Sequence, residues 1–123
     1  MIKYKALFTQ IGPLVSEFVD HGILVLFGVS APEELAEFSI IHDGLELTAP
    51  LEAGDMVEIG GETYAILAVG EVANTNLANL GHLVLKFNGQ NVPEMPGDVC
   101  LEMKPLPKIE TGNSLVIYNQ SKE

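Results

Sequence analysis

The sequence predicts an all-β fold, either a small antiparallel β-barrel or a β-sandwich, with one or two short helices. Short segments rich in Val, Ile, Leu, Phe and Tyr recur at near-regular spacing along the chain. Single glycines separate these segments, as in many β-rich domains. A parallel βαβ fold is disfavoured, because it needs crossover helices of about a dozen residues after most strands and the chain has no room for them.

Eight segments are predicted to be strands. The fourth and fifth should pair as a hairpin, because Gly60 and Gly61 between them accept the positive φ that a tight hairpin turn requires. The predicted strands cover residues 2–11, 23–28, 45–48, 56–59, 63–69, 83–87, 99–103 and 115–118.

Two short helices are predicted in the connections. Ser30 is the expected N-cap of the first, since Glu33 three residues later completes a capping box and Pro32 fits the first turn. The second is predicted over residues 74–80, with Gly81 as its C-terminal stop.

The composition narrows the choice of partners. The chain has 123 residues, with six Lys and Arg against 17 Asp and Glu, for a formal net charge of -11. With 47% hydrophobic residues it can bury a core as one domain, which we expect to span residues 1–123. Such an acidic protein repels nucleic-acid phosphates and anionic membrane head groups. Nucleic acid and membrane are therefore disfavoured as partners, and neutral or basic proteins remain open.

Cysteine usage and hydropathy predict a cytoplasmic protein without direct membrane insertion. Cys100 is the single cysteine, which excludes an intramolecular disulfide, and its apolar neighbours indicate a core residue and not a nucleophile. Residues 1–8 alternate polar and apolar side chains, unlike a secretory signal peptide. The longest apolar run, residues 23–27, is far shorter than the roughly twenty residues of a membrane-spanning helix.

The three histidines are the candidate reactive residues, because imidazole offers a neutral nucleophilic nitrogen near pH 7. His21 lies in a polar turn and is expected to be solvated. From local sequence, His42 fits a buried structural histidine and a functional one equally well. Asp43 beside it either caps a turn or orients the His42 ring. His82 follows Gly81 at the start of a predicted strand, where a hydrogen bond to backbone is the simpler interpretation.

No nucleophile elbow, phosphate-binding loop or dinucleotide-binding glycine pattern occurs in the sequence. Residues 51–57 resemble the glycine-aspartate turn of many β-barrels, including metal-binding cupins. A cupin metal site needs two imidazoles one residue apart, and Gly44 stands where the second would follow His42. A cupin-like barrel that binds a metal or sugar through His42, His82 and a carboxylate is kept as an alternative.

Three segments together resemble one known family. They are residues 38–44 (FSIIHDG), 68–73 (AVGEVA) and 76–89 (NLANLGHLVLKFNG). Their residues and order resemble the glucitol/sorbitol-specific IIA component of the bacterial phosphoenolpyruvate-dependent sugar phosphotransferase system. The resemblance extends from the region of Gly12 to Gly112 and is most specific over residues 69–89.

This resemblance implies a histidine phosphocarrier with phosphotransferase activity. The family's histidine accepts a phosphoryl group from the phosphocarrier protein HPr and passes it to the IIB domain of the sugar permease, and it falls on His42. The family's Gly-His pair falls on Gly81 and His82, which makes His82 a candidate supporting residue and not an acceptor. Some relatives have another histidine two positions after the acceptor, where this chain has Gly44. No metal or organic cofactor is implied.

Phosphoryl transfer depends mainly on in-line positioning and charge stabilisation. If a carbonyl or carboxylate holds one nitrogen of His42, with Asp43 as one candidate, the other nitrogen is free to attack. We therefore expect an accessible His42 ring with most carboxylates away from it. Ile40, Ile41 and Leu45 would form either a docking patch or part of the core. A regulatory module that has kept the fold and lost transfer is the remaining hypothesis.

Overall fold

The computed structural model describes residues 1–44 and 46–119, and within them eight strands close into a barrel with three short helices in the connections. This confirms the predicted all-β class. The strands are β1 (Ile2–Ile11), β2 (Ile23–Gly28), β3 (Ile40–His42), β4 (Met56–Ile59), β5 (Glu62–Val69), β6 (Leu83–Lys86), β7 (Asp98–Leu101) and β8 (Ser114–Tyr118). The helices are α1 (Val15–Val19), α2 (Glu33–Ala36) and α3 (Ala73–Leu80).

The barrel is mixed and not purely antiparallel. Around it the strands follow the order β1-β3-β2-β6-β7-β5-β4-β8. In the described part of the chain six pairings are antiparallel. The pairs β2–β3 and β6–β7 are parallel. Residues 29–39 and 87–97 provide the longer connections that return the chain for these two parallel pairs.

Side-chain alternation along the strands fills the barrel. Tyr64, Ile66 and Ala68 of β5 are buried and alternate with more exposed neighbours. On β1, Tyr4 and Phe8 belong to the same hydrophobic core. The inward face of each strand thus supplies the apolar interior, and the outward face of β1 and β5 is more exposed.

The predicted hairpin is confirmed. Strands β4 and β5 are antiparallel, with Ile59 opposite Glu62. The two residues between them, Gly60 and Gly61, have φ angles of +56° and +91°. A residue with a Cβ adopts such angles at a cost, so the glycine pair explains this tight connection.

A buried ion pair ties β1 to the chain that leads into β4. The ammonium of Lys3 lies 2.7 Å from the carboxylate of Asp55, and both side chains are only 4% exposed. Lys3 also donates a hydrogen bond to the carbonyl of Pro50 at 2.8 Å. Two opposite charges removed from water require each other, since either one alone would be uncompensated.

The strand predicted over residues 45–48 is wrong for the part that is described. Residues 46–48 form no strand, and Leu45 lies outside the described residues. The chain instead forms β3 over Ile40–His42, between β1 and β2. A strand this short is held by partners on both sides, which local sequence does not reveal. The other seven strands lie within two residues of the predicted bounds.

The helices differ in part from the prediction. Helix α2 begins at Glu33 after an extended Pro32, and Ser30 does not cap it. Helix α1 lies outside both predicted helices. It has a single buried residue, Val15, and no capping side chain, so its sequence lacks the signals that predict a helix. Helix α3 ends where predicted, at Gly81, whose φ of +66° is the left-handed conformation that closes many helices.

Candidate functional site

His42 is the last residue of β3 and lies inside the end of the barrel. Its register partners are Phe8 on β1 and Gly28 on β2. Side chains alternate along a strand, so His42 shares its face with Ile40, which is fully buried in the core. The residue is only 1% exposed. The expectation of an accessible His42 ring is therefore wrong for this conformation.

Backbone groups engage both ring nitrogens of His42. Nε2 lies 2.7 Å from the carbonyl oxygen of Gly81, and the Gly44 N–H donates to Nδ1 at 3.0 Å. A carbonyl only accepts and a backbone N–H only donates, so the proton is on Nε2 and the lone pair on Nδ1. The expected free nitrogen is therefore absent in this conformation.

The His42 ring is held in its neutral form. Burial lowers its pKa below the ordinary value of 6.5, because the charged imidazolium would lose its hydration. The hydrogen bond to Gly81 and the negative charge of Asp43 oppose this effect in part. A neutral imidazole is the form that has a lone pair for attack on phosphorus.

Tyr4 borders the His42 ring, although nothing in the sequence pattern selects it as a site residue. The centroids of the Tyr4 and His42 rings lie 5.8 Å apart, with an interplanar angle of 87°. A side chain added at Gly44 would overlap the Tyr4 hydroxyl, so this glycine lets the backbone pass directly beside it. Tyr4 alternates with Ala6 and Phe8 as a core residue, and only the folded barrel reveals its second role as a neighbour of His42.

A shallow pocket of about 150 Å³ lies beside the two backbone groups that hold the ring. It opens between the turn after β2 and the end of α3. Its volume accommodates a small group such as a phosphoryl, since a water molecule takes up about 30 Å³ in the liquid. The residues that line it are Tyr4, Gly28, Val29, Ser30, Gly44, Leu77, Ala78, Asn79, Leu80 and Gly81.

Asp43 binds the backbone of β1. Its carboxylate accepts a hydrogen bond from the Leu7 N–H at 2.8 Å, and its own N–H donates to the Leu7 carbonyl at 3.2 Å. The ring contacts of His42 come instead from Gly81 and Gly44. Asp43 therefore acts on His42 through its charge and by fixing the chain that follows β3.

His82 lies on the other face of the barrel wall. It alternates with Leu83 and Leu85, which point into the core. Its ring packs against Phe27 with centroids 4.7 Å apart, and Nδ1 lies 3.2 Å from the Leu26 carbonyl. The structure thus connects His82 to His42 only through Gly81, its neighbour in sequence. His21, the third histidine, places Nδ1 3.0 Å from the Glu17 carbonyl in an exposed position.

Of the two alternatives for Ile40 and Ile41, a docking patch or part of the core, the structure supports burial, since they are 0% and 7% exposed. Their burial follows from the pairing of β3 on both sides. Two other apolar residues border the pocket instead: Val29 is 76% exposed and Leu80 is 45% exposed. Apolar surface beside the pocket therefore comes from the turn after β2 and from the end of α3.

Among the described residues, no cationic side chain lines the pocket. Arginine is absent from the sequence, and none of the lining residues is a lysine. Lys3, Lys86 and Lys104 each pair with a carboxylate elsewhere on the barrel. Polar groups at the pocket are thus neutral donors, among them the hydroxyls of Tyr4 and Ser30.

Metal binding finds no support in the described residues. Among residues 1–44 and 46–119, no cluster of three or more His, Cys, Asp or Glu side chains could hold a metal ion. His42 is buried, whereas the His82 ring packs against Phe27. No helix in that part of the chain is long and apolar enough to span a membrane.

Comparison with known proteins identifies the family. A model of the glucitol/sorbitol-specific IIA component of the phosphotransferase system (PTS) matches residues 3–116. The glucitol/sorbitol-specific EIIA components of Shigella flexneri and of Escherichia coli K12 are each 34% identical over 120 residues, which is 98% of this chain and 97% of theirs. The crystal structure of a PTS IIA component from Enterococcus faecalis V583 superposes with a TM-score of 0.77 at 28% identity, covering 90% of this chain and 96% of that one. The chain therefore belongs to the glucitol/sorbitol-specific IIA component family of the phosphotransferase system.

Proposed function

We propose that the protein accepts a phosphoryl group from HPr on His42 and passes it to the IIB domain of a glucitol/sorbitol permease, which takes up and phosphorylates the sugar. The observation that carries this proposal is a neutral imidazole whose backbone partners, Gly44 and Gly81, line a pocket large enough for a phosphoryl group. Membership of the IIA family supports the same chemistry.

The transfer exchanges one P–N bond for another. A nitrogen of His42 attacks phosphorus, the P–N bond to the donor histidine breaks, and the donor ring keeps the electron pair. In the second step the IIB domain attacks and His42 leaves. Because the loose transition state needs positioning and charge stabilisation, the protein needs no covalent chemistry beyond the imidazole.

Attack through Nδ1 requires the hydrogen bond from Gly44 to open, whereas attack through Nε2 requires the bond to Gly81 to open and the Nε2 proton to move to Nδ1. Leaving a buried donor or acceptor without a partner costs about 1–3 kcal/mol, so access to the ring requires a local opening of the pocket that also exposes His42, which is 1% exposed here. The Gly44 bond is local, since donor and acceptor are two residues apart, and Gly44 itself is only half-buried. Contact with a partner at the pocket would stabilise this open form.

The other candidate residues take supporting roles in this proposal. Asp43 fixes the chain after β3 through its two hydrogen bonds with Leu7. His82 packs on Phe27 and anchors the strand that follows Gly81. Gly81 holds the ring through its carbonyl. We therefore assign Asp43 and His82 as positioning residues, and His42 as the residue that bonds to phosphorus.

Incubation with labelled phosphoenolpyruvate, enzyme I and HPr tests the proposal. We expect one acid-labile, base-stable phosphoryl group per chain, absent from His42→Ala and present in the matched control His21→Ala. Addition of the IIB domain should discharge it. A folded wild-type protein that takes up no label, or label that persists in His42→Ala, would contradict the assignment.

A regulatory module without transfer is the second candidate function. The observation that favours it is the 1% exposure of His42, with a hydrogen bond at each nitrogen. In that case the wild-type protein would bind HPr or the IIB domain without becoming labelled. The labelling assay and a binding measurement on the same sample separate the two functions.

A further inference from the structure

The barrel buries two tyrosines whose hydroxyl groups differ in their surroundings. Tyr4 is 2% exposed and Tyr64 is 0% exposed, and both belong to the hydrophobic core. The Tyr64 hydroxyl donates to the carbonyl of Pro105 at 2.8 Å. Buried tyrosine hydroxyls normally find such a partner, because an unpaired polar group inside a protein is costly.

The Tyr4 hydroxyl makes no hydrogen bond with any residue in the ranges 1–44 and 46–119, yet its oxygen is not among the fully buried polar atoms of those residues that lack a partner. It lies against the backbone of Gly44, and Tyr4 lines the pocket beside His42. The Gly44 N–H, on the same residue, donates to Nδ1 of His42. The hydroxyl is therefore placed next to the ring that would carry the phosphoryl group, with its donor capacity unused by the described residues.

The chemistry of the pocket indicates a role for the Tyr4 hydroxyl. A phosphoryl group on His42 would bring negative charge into a pocket whose described lining residues include no lysine or arginine. Hydrogen-bond donors fixed in advance stabilise such charge effectively where water is excluded. Burial and the charge of Asp43 raise the pKa of Tyr4, so its hydroxyl keeps its proton at neutral pH.

We propose that Tyr4 is a catalytic residue whose hydroxyl donates a hydrogen bond to an oxygen of the phosphoryl group carried by His42. This inference rests on the proposed function. The hydroxyl keeps its proton throughout, while one P–N bond forms as the other breaks. Its hydrogen bond strengthens as charge spreads over the phosphoryl oxygens and also holds the group in the pocket between the two transfers.

Tyr4→Phe tests the proposal, with Tyr64→Phe as the matched control. Both substitutions remove one buried hydroxyl and keep the ring, but only Tyr4 borders the pocket. We expect Tyr4→Phe to slow transfer from phosphorylated HPr by about 100-fold, the lower end of the range for loss of one preorganised donor. Tyr64→Phe should be less stable than the wild type, but its transfer rate should stay within twofold of the wild-type rate. Equal rates for Tyr4→Phe and wild type, or equal slowing in both variants, would overturn the proposal.

A second measurement needs no substitution. In protein labelled with ¹³C at tyrosine Cζ, phosphorylation should shift the Tyr4 resonance as its hydroxyl gains an anionic acceptor, while the Tyr64 resonance stays in place. A phosphorylated protein with an unchanged Tyr4 resonance would refute the contact and leave the phosphocarrier function standing. Failure of the wild-type protein to take up label on His42 would instead refute the function itself, so the two failures are distinguishable.

Discussion

The hydroxyl of Tyr4 occupies the space that a side chain at Gly44 would need. Gly44 in turn donates its N–H to Nδ1 of His42. One glycine therefore sets both the position of the tyrosine hydroxyl and one hydrogen bond of the candidate acceptor. In this chain the position of Tyr4 leaves no room for a side chain at residue 44.

Gly44→Ala should impair transfer more than folding. The added methyl would displace either the Tyr4 hydroxyl or the Gly44 N–H from its position beside His42. We expect a loss of transfer of at least about tenfold, as is typical when a reacting geometry is shifted. Gly97→Ala is the control, because its added Cβ would make only ordinary contacts, the nearest 3.5 Å from Nδ2 of Asn76, and Gly97 is not among the glycines with a positive φ. Similar transfer rates in the two variants would contradict this account.

Gly81→Ala should destabilise the barrel and disturb the His42 ring. The new Cβ would lie 2.9 Å from the nitrogen of Gly28 and 3.0 Å from Cε1 of His42, at a φ of +66°. Gly61→Ala, at a φ of +91° with open space around it, measures the backbone cost alone, about 1–2 kcal/mol. Urea denaturation should give a larger loss for Gly81→Ala. Equal losses would mean that the crowding at His42 is relieved without cost.

Asp43→Asn should change transfer by only a few-fold. The amide oxygen can still accept from the Leu7 N–H, and backbone groups hold the His42 ring. Loss of the negative charge should lower the pKa of His42 further, since Asp43 now raises it. The His42 pKa is followed by NMR titration and the transfer rate by labelling. A loss of two orders of magnitude would assign Asp43 a direct part in ring orientation.

Protonation of His42 should oppose folding in mildly acidic solution. Its pKa is lowered in the folded protein from the ordinary value of 6.5, so the unfolded chain binds the proton more readily. Stability therefore falls as the pH drops below about 6.5 and is restored as it rises. His42→Gln should show a weaker fall between pH 7 and pH 5, and His21→Gln should behave like wild type. Parallel stability curves for His42→Gln and wild type would contradict the expected shift.

Lys3→Met should be strongly destabilising, because it leaves the carboxylate of Asp55 buried without its counter-charge. The expected loss is about 3–5 kcal/mol by denaturant unfolding. Lys104→Met is the control: its partner is Glu102 and the two side chains are 44% and 40% exposed, so the loss should stay below about 1 kcal/mol. Adding Asp55→Leu to Lys3→Met should recover part of the loss. Equal effects of the two single substitutions would refute this ranking.

The local sequence pattern was sufficient to predict most strands of the barrel. Alternation, glycine punctuation and the Gly60-Gly61 pair located seven strands and one hairpin. Strand β3 was not predicted from the sequence, because its three residues owe their conformation to pairing with β1 and β2, which lie elsewhere in the sequence. The parallel pairs β2–β3 and β6–β7 were not predicted for the same reason, since strand direction depends on how the whole sheet closes.

The site was predictable only in part. The Ile-His and Gly-His motifs selected His42 and His82, but the sequence did not indicate that strand alternation separates the two rings across the wall. Tyr4 could not be selected, because it follows the same alternating pattern as the core residues Ala6 and Phe8. Its relation to Gly44 exists only after β1 and β3 have paired.

The surroundings of His42 come from four separate stretches of chain, which supply Tyr4, Gly28, Gly44 and Gly81. During synthesis on a ribosome, a polypeptide that has not yet reached Gly81 lacks the carbonyl that orients Nε2. Contacts between such distant segments form late and slow the folding of β-barrels. Under the proposed function, a nascent or half-folded chain would therefore be inactive, and only the folded barrel would take part in phosphoryl transfer.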